Sequence, residues 1–176
     1  MAFSVTKFRA DGLPGAGSRP NLFHCTVDNQ AMGLPANFKM LCKIAAIPPS
    51  TMGVVEVPYF GRMVKVPGNR TFDNLSVTVI NDENFAVRNA IETWMNKMNT
   101  HVENKSTNPT GLHTEMTIVH YTRKGDEMSH GGWTFTNCFP VALGEIGLDW
   151  GSNDTIEEFT IDFAYDYWVH GGLTPG

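Results

Sequence analysis

From residue 159 the chain alternates strictly. Phe159, Ile161, Phe163, Tyr165 and Tyr167 fall on one side, and Thr160, Asp162, Ala164, Asp166 and Trp168 on the other. Two-residue periodicity is the mark of a half-buried strand. Leu75, Val77 and Val79, interleaved with Ser76 and Thr78, repeat it, and β-prone runs at 20–27, 38–47, 114–122 and 133–139 predict further strands. One segment changes period: Val87, Ile91, Trp94 and Met98 recur at helical spacing after the cap-forming Asn81 and Asp82, predicting one amphipathic helix over about residues 82–98. An aromatic and methionine stripe at that spacing is more often a face packed on a sheet than a cofactor site. Two short β-prone pieces, 54–58 and 62–66, flank Tyr59, Phe60 and Gly61 between Pro58 and Pro67. Prolines cannot donate to a central ladder, so a projecting loop or hairpin over about residues 48–68 is expected at an edge.

These elements predict a mainly β fold, a two-sheet β-sandwich or small barrel carrying one packed α-helix. The 176 residues suit a single domain, 1–176. Within it, the Gly- and Pro-dense start (1–19) reads as a flexible N-terminal arm and 169–176 as a C-terminal tail. The polar run 101–113 reads as a mobile or functional loop.

Charge divides the chain. All thirteen Lys and Arg lie in residues 1–124, against nine acids, while residues 125–176 carry nine acids and no base. Tight nucleic-acid binding requires a basic patch, so this segment argues against it. An acidic solvated face is the plain reading, and complementary faces on a self-associating subunit the next. The opening residues lack a signal-type apolar run and no later segment is long enough to span a bilayer, which predicts a soluble, cytoplasmically made protein with no membrane partner. Cys25, Cys42 and Cys138 are an odd, scattered set expected to act as small buried hydrophobes.

The search for chemistry yields little. GLPGAGSR (12–19) approaches a phosphate-binding loop but lacks its lysine and a preceding strand. The six histidines match no zinc spacing, no cysteine sits in a nucleophile motif, and the Glu145/Asp149 and Asp162/Asp166 pairs read as solvated. No catalytic, cofactor-binding or metal-ligating residue is expected.

Two long stretches, VPYFGRMVKVPGNRTFDNLSVTVINDE (57–83) and GEIGLDWGSNDTIEEFTIDFAYDYW (144–168), together with RPNLFHCTV and CKIAAIPP nearer the start, resemble the tail tube proteins of contractile-tailed bacteriophages. The likeness runs from about residue 19 to residue 168. It implies a non-enzymatic virion subunit, similar in fold to the tubes of type VI secretion systems and tailocins. Six copies would close into rings, and rings would stack into the inner tail tube within the sheath. Sheath, tape measure and baseplate proteins are the implied partners, with assembly in the host bacterial cytoplasm. DNA would pass through the channel to the host without sequence-specific binding. Tyr59, Phe60, Arg62, Lys65 and Arg70 are then the expected inter-subunit contacts, and Asp162 and Asp166 the expected lumen or interface acids. The arm, the 101–113 loop and 170–176 fall outside the matching motifs. The competing readings are a tube subunit of a non-phage contractile injection system or tailocin, a small β-sandwich hydrolase or metal enzyme, and a monomeric ligand-binding module.

Overall fold

The computed structural model describes residues 4–13, 15, 17–28, 33–106 and 111–171. The chain begins with a turn of helix, α1 (Val5–Lys7), continued by a wider π turn (Phe8–Gly12). Strand β1 (Phe23–Val27), the short helix α2 (Phe38–Leu41) and strand β2 (Cys42–Ala46) follow. A long hairpin, β3 (Ser50–Tyr59) and β4 (Arg62–Phe72), precedes β5 (Leu75–Ile80), α3 (Ala86–Met98), β6 (Thr114–Tyr121), β7 (Glu127–Leu143), β8 (Glu158–Ala164) and β9 (Tyr167–His170).

Seven strands make one antiparallel sheet of order β1-β6-β7-β8-β5-β2, with β9 also beside β7, while β3 and β4 pair only with each other. The large sheet is open rather than closed into a barrel, with β1 and β2 at its ends. Strand β7 is its spine. The first half of β7 lies between β6 and β9, with Thr134 opposite both Thr117 and Val169, and its second half pairs with β8, Phe139 opposite Ala164. Between the halves Asn137 adopts φ 58°, a left-handed conformation that asparagine tolerates better than most residues. Its side-chain amide donates to the Asp166 carboxylate at 2.6 Å, and the Asp166 N–H donates to the Thr136 carbonyl at 3.1 Å. The sheet bends along this line, so the inward faces of both halves meet.

One core results. Cys25, Met116, Ile118 and Phe135 enter it from one half and Val77, Val79, Ile161 and Phe163 from the other, all fully buried or nearly so. Helix α3 covers the second half with Val87, Ala90, Ile91 and Trp94, its buried face at the spacing read from sequence. The Trp94 indole N–H donates to the Leu112 carbonyl at 2.7 Å, so its one polar atom is satisfied inside the core.

Several expectations are corrected. Residues 38–41 are helical, because Phe38 turns into the core while Met40 and Leu41 bond back to Asn37. Helix α3 starts at Ala86 rather than near 82: Phe85 takes φ 52°, and the Asp82 carboxylate reaches forward to cap the Ala86 N–H at 2.8 Å. The alternation of 159–167 ends with β8, since the bend adds a residue, turns Trp168 inward and leaves Tyr167 exposed. The strand expected over 133–139 is longer, running from Glu127 to Leu143. Gly131 sits at a bulge where an added Cβ would lie 2.6 Å from the Met128 Cβ, so the glycine is a close approach rather than a break. Val169 and His170 lie in β9, residues 172–176 fall outside the described residues, as do 107–110 of the 101–113 loop.

Trp94→Ala should lower the unfolding free energy by about 3–5 kcal/mol in urea titration. Tyr59→Ala, at the exposed hairpin tip, should change it by less than about 0.5 kcal/mol in the free subunit. Equal effects would contradict this division between core and hairpin.

Candidate functional site

The hairpin carries all five expected contact residues, with Tyr59, Phe60 and Arg62 at its tip, Lys65 partway along it and Arg70 near its root. Its two-residue turn places Phe60 at φ 44° and Gly61 at φ 77°, the paired positive angles that match the twist of the flanking strands. Holding a phenylalanine there costs on the order of 1 kcal/mol, yet its ring is 92% exposed, meeting only the edge of Tyr59 at 4.7 Å. Pairing sets Tyr59 opposite Arg62, Val57 opposite Val64 and Val55 opposite Val66, so one face is four valines ending in a tyrosine. On the other face Glu56 lies opposite Lys65 at 3.7 Å, an exposed ion pair of little energetic weight, between Val54, Pro58 and Met63. Every residue of β3 is exposed, and β4 is exposed almost throughout.

Nearer the body, the register slips between Met52 and Val54, where Gly53 and Gly68 face each other. A Cβ on Gly53 would sit 3.1 Å from the Asn69 carbonyl oxygen, so the glycines let the strands approach closely at the bulge. Arg70 follows, opposite Met52. The root is clamped by aromatics: Phe72 lies 6.1 Å from Tyr165 and 6.0 Å from Trp168, and Tyr165 packs edge-on against buried Phe135 at 5.0 Å. The Tyr165 hydroxyl donates to the Asp73 carbonyl at 2.6 Å. Burial, then the Asp73 carboxylate, pushes this phenol up to about 12, so it stays a donor.

Asp162 and Asp166 do not share a strand face. Asp162 is half-buried on the outward side of β8, flanked by Ser76 of β5 and Ala142 of β7. Asp166 is exposed at the bend, held by Asn137. Sequence reading missed a second surface, the 144–157 connection between β7 and β8. It displays Leu148, Ile156 and a fully exposed Trp150, with Glu145, Asp149, Asp154 and Glu157 around them. Asp149 orders its tip by accepting from the Gly151 N–H at 2.9 Å. A tryptophan between glycine and acids, in a run without periodicity, was the available signal.

Several chemistry-bearing side chains are engaged in packing. His24 bonds the Tyr121 hydroxyl at 2.6 Å, and His120 and His170 flank Trp133 at 5.4 and 4.6 Å. All three cysteines are free. Contact with Cys42, then burial, raises the Cys25 thiol, while the same contact lowers Cys42 against its own burial. Burial pushes Cys138 up to about 12. Among the described residues no group of three or more His, Cys, Asp or Glu is placed to hold a metal ion, and no helix is long and apolar enough to cross a membrane.

Residues 7–171 match the family model of phage tail tube proteins. The chain is similar to the tail tube protein gp19 of Enterobacteria phage T4, 29% identical over 154 residues covering 88% of this chain and 92% of that protein. Its likeness to gp19 of Enterobacteria phage T6 is 30% over 155 residues with the same coverage. Among solved structures, a chain of the PVC extracellular contractile injection system sheath–tube complex in its extended state superposes with a TM-score of 0.63 over 96% of this chain and 98% of that one. At 17% identity that likeness shows a common fold.

Proposed function

We propose, on the ground that this chain belongs to the phage tail tube protein family, that its copies close into six-membered rings that stack into the inner tube of a contractile tail. As a tail tube protein it is a structural component of the virion tail. The observation that carries the assembly reading is the β3–β4 hairpin, which holds its valine face in water while its root is fixed to the core. An isolated two-stranded ribbon is marginally stable, so an exposed apolar one marks an interface. Tyr59, Phe60, Arg62, Lys65 and Arg70 act there as inter-subunit contacts. The tube's sheath partner is supported by the fold shared with a sheath–tube complex, and its baseplate and tape-measure contacts and assembly in the host cytoplasm follow from the family reading. The higher identity to phage proteins favours a phage tail over a non-phage injection system.

DNA passes through the channel during ejection and is not bound. The outward face of the β2-β5-β8 half supports this: Ser76, Thr78 and Thr160 line it with Asp162 around the exposed Ile44, and Glu158 is ion-paired with Lys43. A polar, weakly acidic wall repels phosphates. Asp166 serves at the bend and in a subunit contact.

Negative-stain microscopy of the purified protein at rising concentration should show hollow tubes with six-fold end views. Monomers that persist even with purified baseplates would overturn the reading. In phage carrying Asp162→Lys, DNA ejection should slow and become more salt-dependent, since a cation in the wall attracts the passing phosphates; an unchanged rate would remove Asp162 from the lumen.

A further inference from the structure

Two thiols meet where the two ends of the sheet come together. Cys25 on β1 lies opposite buried Ile118, and Cys42 at the start of β2 lies opposite buried Val79, so both side chains turn into the one core although their strands stand at opposite ends of the sheet. Helix α2 draws those ends together. Its Phe38 is buried, the helix packs against β1, and the Cys42 N–H donates to the Phe38 carbonyl where α2 hands over to β2. Strands β1 and β2 thereby approach within 8 Å between Cα atoms. The Cys25 and Cys42 side chains are in contact, and both thiols are free.

The two differ in access. Cys25 is fully buried and Cys42 half-buried. Their contact lowers the Cys42 thiol and raises the Cys25 thiol, so Cys42 ionises first, and a thiolate within reach of solvent is the attacking species in disulfide exchange. Cys138, the third thiol of the core, is buried on β7 and bonds its own strand, its Sγ donating to the Phe135 carbonyl at 3.4 Å.

We propose that Cys25 and Cys42 form an oxidation site, a dithiol that a small-molecule disulfide of the glutathione type converts to a disulfide, clasping β1 to β2 and closing the open sheet with a covalent bond. In the first step the Cys42 thiolate attacks one sulfur of the oxidant, whose S–S bond breaks; one glutathione leaves as thiolate and takes a proton from water. In the second, Cys25 gives up its proton and its sulfur attacks the Cys42 sulfur of the mixed disulfide, releasing the other glutathione. Two protein thiols are oxidised by two electrons, and the oxidant is reduced to two thiols. Sixteen residues separate the two cysteines, and tying them restricts the unfolded chain. The timing of the bond, though not the bond itself, rests on the tube reading: the subunit assembles as the dithiol in a reducing cytoplasm, and the clasp closes in the oxidising surroundings of the released particle.

The test equilibrates purified full-length protein with mixtures of reduced and oxidised glutathione, then alkylates and digests it for mass spectrometry. Oxidising mixtures should leave Cys138 as the one alkylated thiol, join the Cys25 and Cys42 peptides, and raise the melting temperature by roughly 5–10 °C. Cys42→Ser should lose that rise, and Cys138→Ala should retain it. Three alkylated thiols at every ratio would overturn the proposal. So would a glutathione adduct that persists on Cys42, a linkage to Cys138 or between two copies, or a Cys25–Cys42 bond that leaves the melting temperature unchanged. The readout belongs to the subunit alone, so wild type that never forms tubes would bring down the tube reading and the timing, and leave the bond standing.

Discussion

An apolar ribbon anchored at one end cannot be covered by the subunit that carries it, and the rest of the architecture follows from that constraint. The valine face of β3 and β4 extends beyond the reach of the core. Phe72, Tyr165 and Trp168 fix only its root. Intramolecular burial therefore stabilises the body of the molecule, and the hairpin is left exposed by its own subunit. Net charge is arranged by segment, basic in the hairpin and acidic near the C-terminus, the distribution that contact between unlike patches of identical subunits requires.

The body gives this arrangement its stiffness. A single sheet bent at Asn137 and Asp166 supplies two inward faces to one core, and α3 closes the side that the bend leaves open. Because β5 belongs to the core and connects directly to the hairpin, the root moves as one body with the sheet. The same strands run from the hairpin end to the Trp150 end, so the two surfaces are joined by paired backbone rather than by loops.

Much of this was legible where one face of an element is buried. The alternation of 75–79 and 159–163 and the helical stripe of 87–94 each put the correct side inward, because burial on one face fixes register. Failures fall where long-range pairing overrides local pattern. Residues 38–41 contain nothing that separates helix from strand, and only the docking of Phe38 decides it. The prolines did point to a projecting hairpin, and what local pattern understated was its length, since the β-prone pieces 54–58 and 62–66 extend to Ser50–Tyr59 and Arg62–Phe72 once paired. The five expected contact residues all lie on that one projecting element, from Tyr59 at the tip to Arg70 near the root. That Asp162 and Asp166 part company, and that Trp150 stands at the opposite end from the hairpin, depends on the bend and on strand order, which no window of sequence encodes.

The claim at the centre of the account is that the hairpin is completed by a second copy. Hydrogen exchange measured by mass spectrometry on dissociated and assembled protein addresses it directly. The amides of Ser50–Tyr59 and Arg62–Phe72 should exchange rapidly in the free subunit and slow by orders of magnitude on assembly, while those of Leu75–Ile80 and Glu158–Ala164 stay protected in both. Hairpin exchange that is the same in the two states would contradict it.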